Sequence, residues 1–557
     1  MKFAPPSKTL ALLTLAALAA CGGGGGGSSL PAAPPPHQGG SGSGLLDRIV
    51  GVGDSLTAGY QSDGLLGATN VKDPLDPGTP IPPGQENGYW ADVVEQASSQ
   101  PLSAAIAQMY DPGTSPLPLI AGPGLNNQIV PSYNIPYFGF EKPGNACADD
   151  HGFNQSGYSL HGSARTRMNP VSTVIRNVSV PGITLHEANT LTQPQSMTCK
   201  VLPGIQGLLA QVVDGESSTF WPVLGNWSFM GQSLTMVNAA AQIKPTLAIV
   251  WLGANDVLKY MGSGGRFVGG DNSVAQVDGD LKMTIQTLRK AGAPSVVANL
   301  PNILQSPYFM RTDLPGSPLK LCPASSPPIQ TYFVCVWTGI VSPGNFGPAE
   351  HIASKLAETY GLTTHGCIPA STTKPCGYMT LQGTFAVLQY TQDHNNKLPD
   401  LDNGVPGSGL GMYYITPEFA GKIQALNDTV NEGIAQAAQQ TGSPLVDIRS
   451  IFEGLASGNP SNPYFHLASS INPGLCCTLA FEGGLVSFDG LHPSNTGYAL
   501  LASAFIKTIN QAYHQHIAQI DVEKAYNGKR CQNTSYCFPD PYAPPNGNFA
   551  VVHGRPQ

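Results

Sequence analysis

The sequence predicts an α/β fold built around a parallel sheet, and three observations carry that expectation. Short apolar runs bounded by glycine or proline recur at wide spacing: Arg48 to Val52, the stretch around Val178, Thr246 to Trp251, Ser295 to Leu300 and Leu445 to Ile448. Such runs suit strands buried on both faces, as parallel strands are. Helix-period segments separate several of them. Small polar residues stand where the runs end, at the carboxyl edge where open parallel sheets bind their ligands.

The first run closes on Gly53-Asp54-Ser55-Leu56, which presents a serine as the chain turns, and the second ends in Val180-Pro181-Gly182. The third ends in Gly253-Ala254-Asn255-Asp256. Between the third and fourth, Val277, Leu281, Ile285 and Leu288 share one helical face, and Gly292 supplies a stop signal. Ahead of the fifth, Thr416-Pro417 opens a helix carrying Phe419, Ile423, Leu426, Val430 and Ile434, closed by Gly442. Both stripes read as core burial. Near the end, Asp489 stands three residues before His492, and an amphipathic helix begins around Pro493-Ser494. The intervals 61–176 and 306–403 are rich in proline, glycine, asparagine and aromatic residues with weak periodicity, and read as long insertions that roof a site.

Composition narrows the function. Hydrophobic residues make up 41% of the 557 residues and charged ones 11%, enough apolar material for a substantial core, while 65 glycines and 50 prolines imply many turns and irregular loops. A net charge of −8 without any Lys/Arg cluster excludes the attraction that drives nucleic-acid binding. At the N-terminus, an apolar run from Thr9 to Ala20 is too short to span a bilayer and has the length of a signal-peptide core, so residues 1–20 read as a signal peptide. Leu18-Ala19-Ala20-Cys21 then resembles the lipobox of bacterial lipoproteins, which implies cleavage before Cys21 and acylation of its thiol; ordinary cleavage after Ala17-Leu18-Ala19 is the alternative. Residues 21–44 read as a flexible Gly/Pro-rich tether. By the same resemblance, Gly22 following the cysteine implies an exported protein of the cell envelope held at the outer membrane.

Ten further cysteines, an even number in an oxidising compartment, point to disulfides. Short separations favour Cys322 with Cys335, Cys367 with Cys376 and Cys531 with Cys537, and leave Cys147, Cys199 and the adjacent Cys476-Cys477 with the connectivity open. No two-residue C-x-x-C spacing pairs with histidine, so no metal site is expected from the cysteines. Asp393, Asp400, Asp402 and Asn403 match no EF-hand spacing and read as a polar loop.

A serine becomes a nucleophile only where a base takes its proton, a third group orients that base and donors await the oxyanion. Asp489 and His492 can converge on Ser55 from one loop, the Asn255 amide can donate at a strand end, and a glycine at 182 lets its N–H approach a carbonyl closely. Each piece alone has an ordinary reading as a turn or helix cap. Together, Gly53-Asp54-Ser55-Leu56, Gly182, Gly253-x-Asn255-Asp256 and Asp489-x-x-His492-Pro493 resemble the ordered blocks of the SGNH, or GDSL, hydrolase family.

The resemblance implies a three-layer α/β/α flavodoxin-like fold over residues 45–515, with 516–557 as a C-terminal extension. It implies Ser55 as nucleophile, His492 as general base and then acid, and Asp489 as orienter. The oxyanion donors become the Ser55 N–H, the Gly182 N–H and the Asn255 amide, and no cofactor is required. No G-x-S-x-G occurs, which argues against the other common serine esterase fold. Lipid or other acyl esters are the expected substrates, favoured by apolar insertion segments such as Pro116 to Ile120 and Ile135 to Phe140. A carbohydrate O-acetyl esterase, or a surface-anchored binding lipoprotein that keeps the fold without turnover, are the alternatives.

Overall fold

The computed structural model describes residues 44–60, 87–99, 129–130, 135–136, 175–192, 234–262, 264–265, 272–306, 308–310, 378–380, 414–456, 485–486 and 491–522. Four strands, β1 (Ile49–Gly53), β2 (Leu247–Trp251), β3 (Ser295–Ala298) and β4 (Leu445–Val446), form a parallel sheet in that spatial order. Every residue of β1, β2 and β3 is buried, which is why these runs carry no polar alternation. Gly51 pairs with Ile249, and Val250 pairs with Val297. On the other side of β1 runs the segment 175–180. Gly51 N donates to Arg176 O, Val178 N to Gly51 O and Val180 N to Gly53 O, at 3.0–3.1 Å. Counted as a strand, it gives the flavodoxin-like order 2-1-3-4-5, whose topological switch point lies at the carboxyl end of β1.

The helices are α1 (Ser55–Ala58), α2 (Tyr89–Ser98), α3 (Leu185–Thr190), α4 (Met236–Gln242), α5 (Ala254–Gly262), α6 (Val274–Lys290), α7 (Pro417–Thr441), α8 (Ile448–Ala456) and α9 (Asn495–Tyr513). They form two packed groups: α2 lies against α9, and α6 lies against α3, α4 and α7. The α6 stripe of Val277, Leu281, Ile285 and Leu288 is buried, as are Ile423, Val430 and Ile434 of α7. Thr416 caps α7 by accepting from Phe419 N, and Gly442 ends it at φ 64. At the α6–α7 crossing a Cβ on Gly433 would stand 2.6 Å from Val277 Cβ, so the helices approach only because position 433 carries no side chain.

Three features differ from the sequence expectation. Within the interval 61–176, α2 belongs to the core: Tyr89 and Trp90 are fully buried, and the Tyr89 ring stacks on Phe505 of α9 at 4.6 Å. Its ten residues also bury Asp92, Glu95 and Gln96, which breaks the apolar stripe that would have marked it. Within 306–403, Phe309–Met310 and Tyr378–Thr380 pair antiparallel, and Tyr414–Ile415 completes this small sheet. Past residue 515, Ile517, Ile520 and Val522 are buried, and the Asn510 amide brackets Ile517 through both its N–H and its C=O, so the first part of 516–557 packs onto α9. The signal peptide, residues 21–43 of the tether including Cys21, all ten other cysteines and the 393–403 stretch lie outside the described residues.

Replacing Gly433 by alanine forces α6 and α7 apart, and the overpacking outweighs the gain in helix propensity. Urea unfolding is expected to show a loss of about 1–3 kcal/mol.

Candidate active site

Ser55 opens α1 directly beyond β1. Asp54 is the N-cap residue, its carboxylate accepting from Leu56 N at 3.0 Å, and Gly59 closes the single turn in the left-handed region. Gly53 must lack a side chain, because a Cβ there would meet Thr57 Oγ1 at 2.0 Å and Trp251 O at 2.7 Å. The turn is held from two further sides. Asn177 Nδ2 donates to Thr57 O at 2.6 Å, and the Thr57 hydroxyl shares a hydrogen bond with Tyr89. Ser55 itself is 9% exposed, and as the first helical residue its N–H has no intrahelical acceptor.

His492 reaches Ser55 from 437 positions away: its Nε2 lies 2.9 Å from Ser55 Oγ. The residues around it are pinned on both sides. Ser494 caps α9 by accepting from Gly497 N, its own N–H donates to Leu485 O, and Val486 bridges to Pro493. The imidazole lies against the Tyr60 ring at 4.5 Å, and the Tyr498 hydroxyl holds Tyr60 by donating to its carbonyl. Asp489 lies outside the described residues.

Gly182 and Asn255 occupy the same sheet edge. Ile183 N donates to Val180 O across the turn Val180-Pro181-Gly182-Ile183, and Gly182 has φ 83. Proline followed by a positive-φ glycine is the signature of a type II turn, so both residues are fixed by the backbone shape required here. Asn255 sits in the first turn of α5, just beyond β2, and is 7% exposed. Its Nδ2 is buried without a hydrogen-bond partner.

Two buried carboxyls flank these donors. Burial raises Asp54 to about 7 against the opposing pull of the Leu56 N–H, of His492 and of the Asn255 amide. The Asn255 amide stands near Asp54 but outside hydrogen-bonding geometry, so Asp54 Oδ2 is also left unpaired. Asp256 is likewise raised to about 7, chiefly by burial, and accepts from Leu185 N. Sequence reasoning passed over both residues, although each stands inside a quoted block next to a residue that it named.

Ser55 and His492 border a crevice of about 670 Å³, its open mouth included. Its walls are mostly apolar: Trp251, Ala254, Leu258, Ile303, Phe452 and Leu491. The Trp251 indole N–H is already satisfied by Asn299 O, which leaves the ring as plain apolar surface. These wall residues come from β2, α5, the 301–306 segment, α8 and the segment ahead of α9, and no spacing in the sequence connects them.

A flavodoxin-like sheet whose switch point holds a serine against an imidazole, beside a buried amide donor and an apolar crevice, is the framework of a serine hydrolase acting on acyl esters. The chain belongs to the GDSL-like Lipase/Acylhydrolase family, whose model matches residues 49–335, just over half of the chain, and it is accordingly an ester hydrolase. No curated protein and no solved structure matched it. The match takes in Ser55, Gly182 and Asn255 and ends well before His492, whose place beside the serine is known here from geometry.

Asp54 and Asp256 have an ordinary value of 3.8 and sit near 7 when folded, so between these values the folded chain holds protons that the unfolded chain releases. Their contribution to stability is therefore fully present below about pH 4 and is lost as pH rises through 7. Thermal melts are expected to show a higher Tm at pH 5 than at pH 8. The difference should shrink in the Asp54→Asn/Asp256→Asn double variant, and an unchanged difference would refute the assignment.

Proposed function

We propose that this chain is a serine-dependent carboxylic ester hydrolase that works through an acyl-enzyme at Ser55 and acts on esters of apolar acyl chains. The observation that carries this reading is the 2.9 Å contact between His492 Nε2 and Ser55 Oγ at one end of an apolar crevice. His492 takes the hydroxyl proton as Ser55 attacks the carbonyl carbon, and returns it to the departing alcohol when the tetrahedral intermediate collapses. It then takes a proton from a water that attacks the acyl carbonyl carbon, and returns that proton to Ser55 Oγ as the acyl–Oγ bond breaks and the acid leaves. Asp489 is assigned the task of orienting the imidazole. The oxyanion is assigned to the Ser55 N–H, the Gly182 N–H and Asn255 Nδ2. An unpaired buried amide donor is costly in a resting protein and useful where negative charge appears only during reaction.

The apolar walls favour acyl chains over acetylated carbohydrate. A sugar presents hydroxyls that need polar partners, whereas each methylene buried here gains about 0.8 kcal/mol. The same reading takes the chain as an exported lipoprotein, anchored through Cys21 and tethered by residues 21–44, with membrane or extracellular esters within reach. The Ser55–His492 contact and the unpaired Asn255 donor favour turnover over a purely binding role.

Ser55→Ala is expected to lower kcat by roughly 10⁴–10⁶-fold and to abolish covalent labelling by a fluorophosphonate. Asn255→Ala is expected to lower kcat by roughly 10²–10³-fold. In a series of para-nitrophenyl esters, kcat/KM is expected to rise about fourfold per added methylene until the crevice is filled. A maximum at acetate would favour the carbohydrate O-acetyl esterase instead.

A further inference from the structure

Three hydrogen-bond donors from three separate segments have to meet at one oxygen, and the segment bearing Gly182 is tied down on both sides. Upstream, Val180 N donates to Gly53 O at 3.1 Å, which joins the turn to the strand that delivers Ser55. Downstream, Leu185 N donates at 2.9 Å to Oδ2 of Asp256, the residue that follows Asn255. The first tie therefore references Gly182 to the nucleophile, and the second references it to the amide donor.

The second tie is built as a rigid joint. Asp256 is 2% exposed and sits in the first turn of α5, so its carboxyl moves only with the backbone that carries Asn255. Leu185 is equally fixed. Thr184 accepts from Glu187 N while the Glu187 carboxylate accepts from Thr184 N, which locks the start of α3 in a capping box. Lys259 of α5 adds an outer brace to Glu187 at 2.6 and 2.8 Å. That outer pair is partly exposed and screened by solvent. The Asp256 bond is buried, and leaving Leu185 N unpaired there would cost a full desolvation penalty.

We propose that Asp256 is a positioning residue that fixes the separation between the Gly182 turn and the Asn255 side chain, so that both donors converge on one oxyanion. This rests on the reading of Ser55 as nucleophile, and it assigns to Asp256 no contact with substrate. A neutral acceptor does the same task as a carboxylate here, since the bond requires only a carbonyl-type oxygen aimed at Leu185 N. Asparagine at 256 keeps that oxygen, and alanine removes it.

The test uses purified wild type, Asp256→Ala, Asp256→Asn, Asn255→Ala and Ser55→Ala, each assayed on a para-nitrophenyl ester and on its thiono analogue, in which C=S replaces C=O. Sulfur accepts hydrogen bonds poorly, so the oxo-to-thiono ratio of kcat/KM reads the donors at the oxyanion and not general integrity. Asp256→Ala is expected to lower kcat on the oxo ester about 10–100-fold with KM within about threefold, because a small misplacement of positioned groups is costly. Its oxo-to-thiono ratio should fall toward that of Asn255→Ala. Asp256→Asn should stay within about fivefold of wild type on both esters. Where the alanine variant does not fold, Asp256→Ser replaces it, since its shorter hydroxyl falls short of Leu185 N, and the same results are expected. A folded alanine or serine variant that keeps the wild-type ratio, whether or not its rate drops, overturns the proposal. Hydrolysis retained by Ser55→Ala removes the nucleophile assignment and this inference with it. Activity lost in Ser55→Ala and Asn255→Ala but kept in Asp256→Ala removes the inference alone.

Discussion

The parallel hydrogen bonding of β1 on both of its edges is the constraint on which the rest of this structure depends. β2 on one side and the segment 175–180 on the other fix three chain directions to one sense, so all three end at the same edge. The residues just beyond those ends are Ser55, Asn255 and Gly182. Parallel pairing requires long crossovers, and among the described residues of these connections are helices that pack on the sheet. The chemistry thus inherits its precision from backbone geometry that tolerates little displacement. At Gly53 the sheet and the turn come so close that a single Cβ would collide with Thr57 and with the carbonyl of Trp251.

Against that packed edge, several polar atoms are left incompletely satisfied. Asn255 Nδ2 and Asp54 Oδ2 are both buried without partners, although they stand near each other. Burying such groups unpaired costs about 1–3 kcal/mol each, which a core selected for stability alone would avoid. Their concentration beside Ser55 follows the general pattern in which local rules are broken at functional sites and compensated elsewhere. The compensation is visible in the fully buried strands and in the tight meeting of α6 with α7. The two carboxyls raised to about 7 belong to the same bargain, since each is desolvated in order to hold a backbone N–H next to a donor.

Legibility in the sequence followed the strength of the local signal. The strand runs at Ile49–Gly53, Leu247–Trp251 and Ser295–Ala298 stood out because burial on both faces leaves them continuously apolar. The helices Val274–Lys290 and Pro417–Thr441 stood out through their stripes and through the signals at Gly292, Thr416-Pro417 and Gly442. Helix Tyr89–Ser98 was hidden by Asp92, Glu95 and Gln96, whose burial only the surrounding core makes possible. The core contribution of Ile517, Ile520 and Val522 was hidden for a related reason: three apolar residues in an irregular segment have no period to detect.

By itself, the sequence determined the class of fold and the order of the short blocks, and it singled out Ser55, His492, Asn255 and Gly182 as candidates for the site. These are local properties, encoded in runs, turn residues and spacings of a few positions. Only the tertiary structure decided that His492 stands 2.9 Å from Ser55, and that residues from five separate segments close an apolar crevice around the pair. It alone decided that Asp256 reaches across to Leu185. Contacts of this kind join positions tens to hundreds of residues apart. They arise from the packing of helices and loops on the sheet, and no pattern along the chain records them.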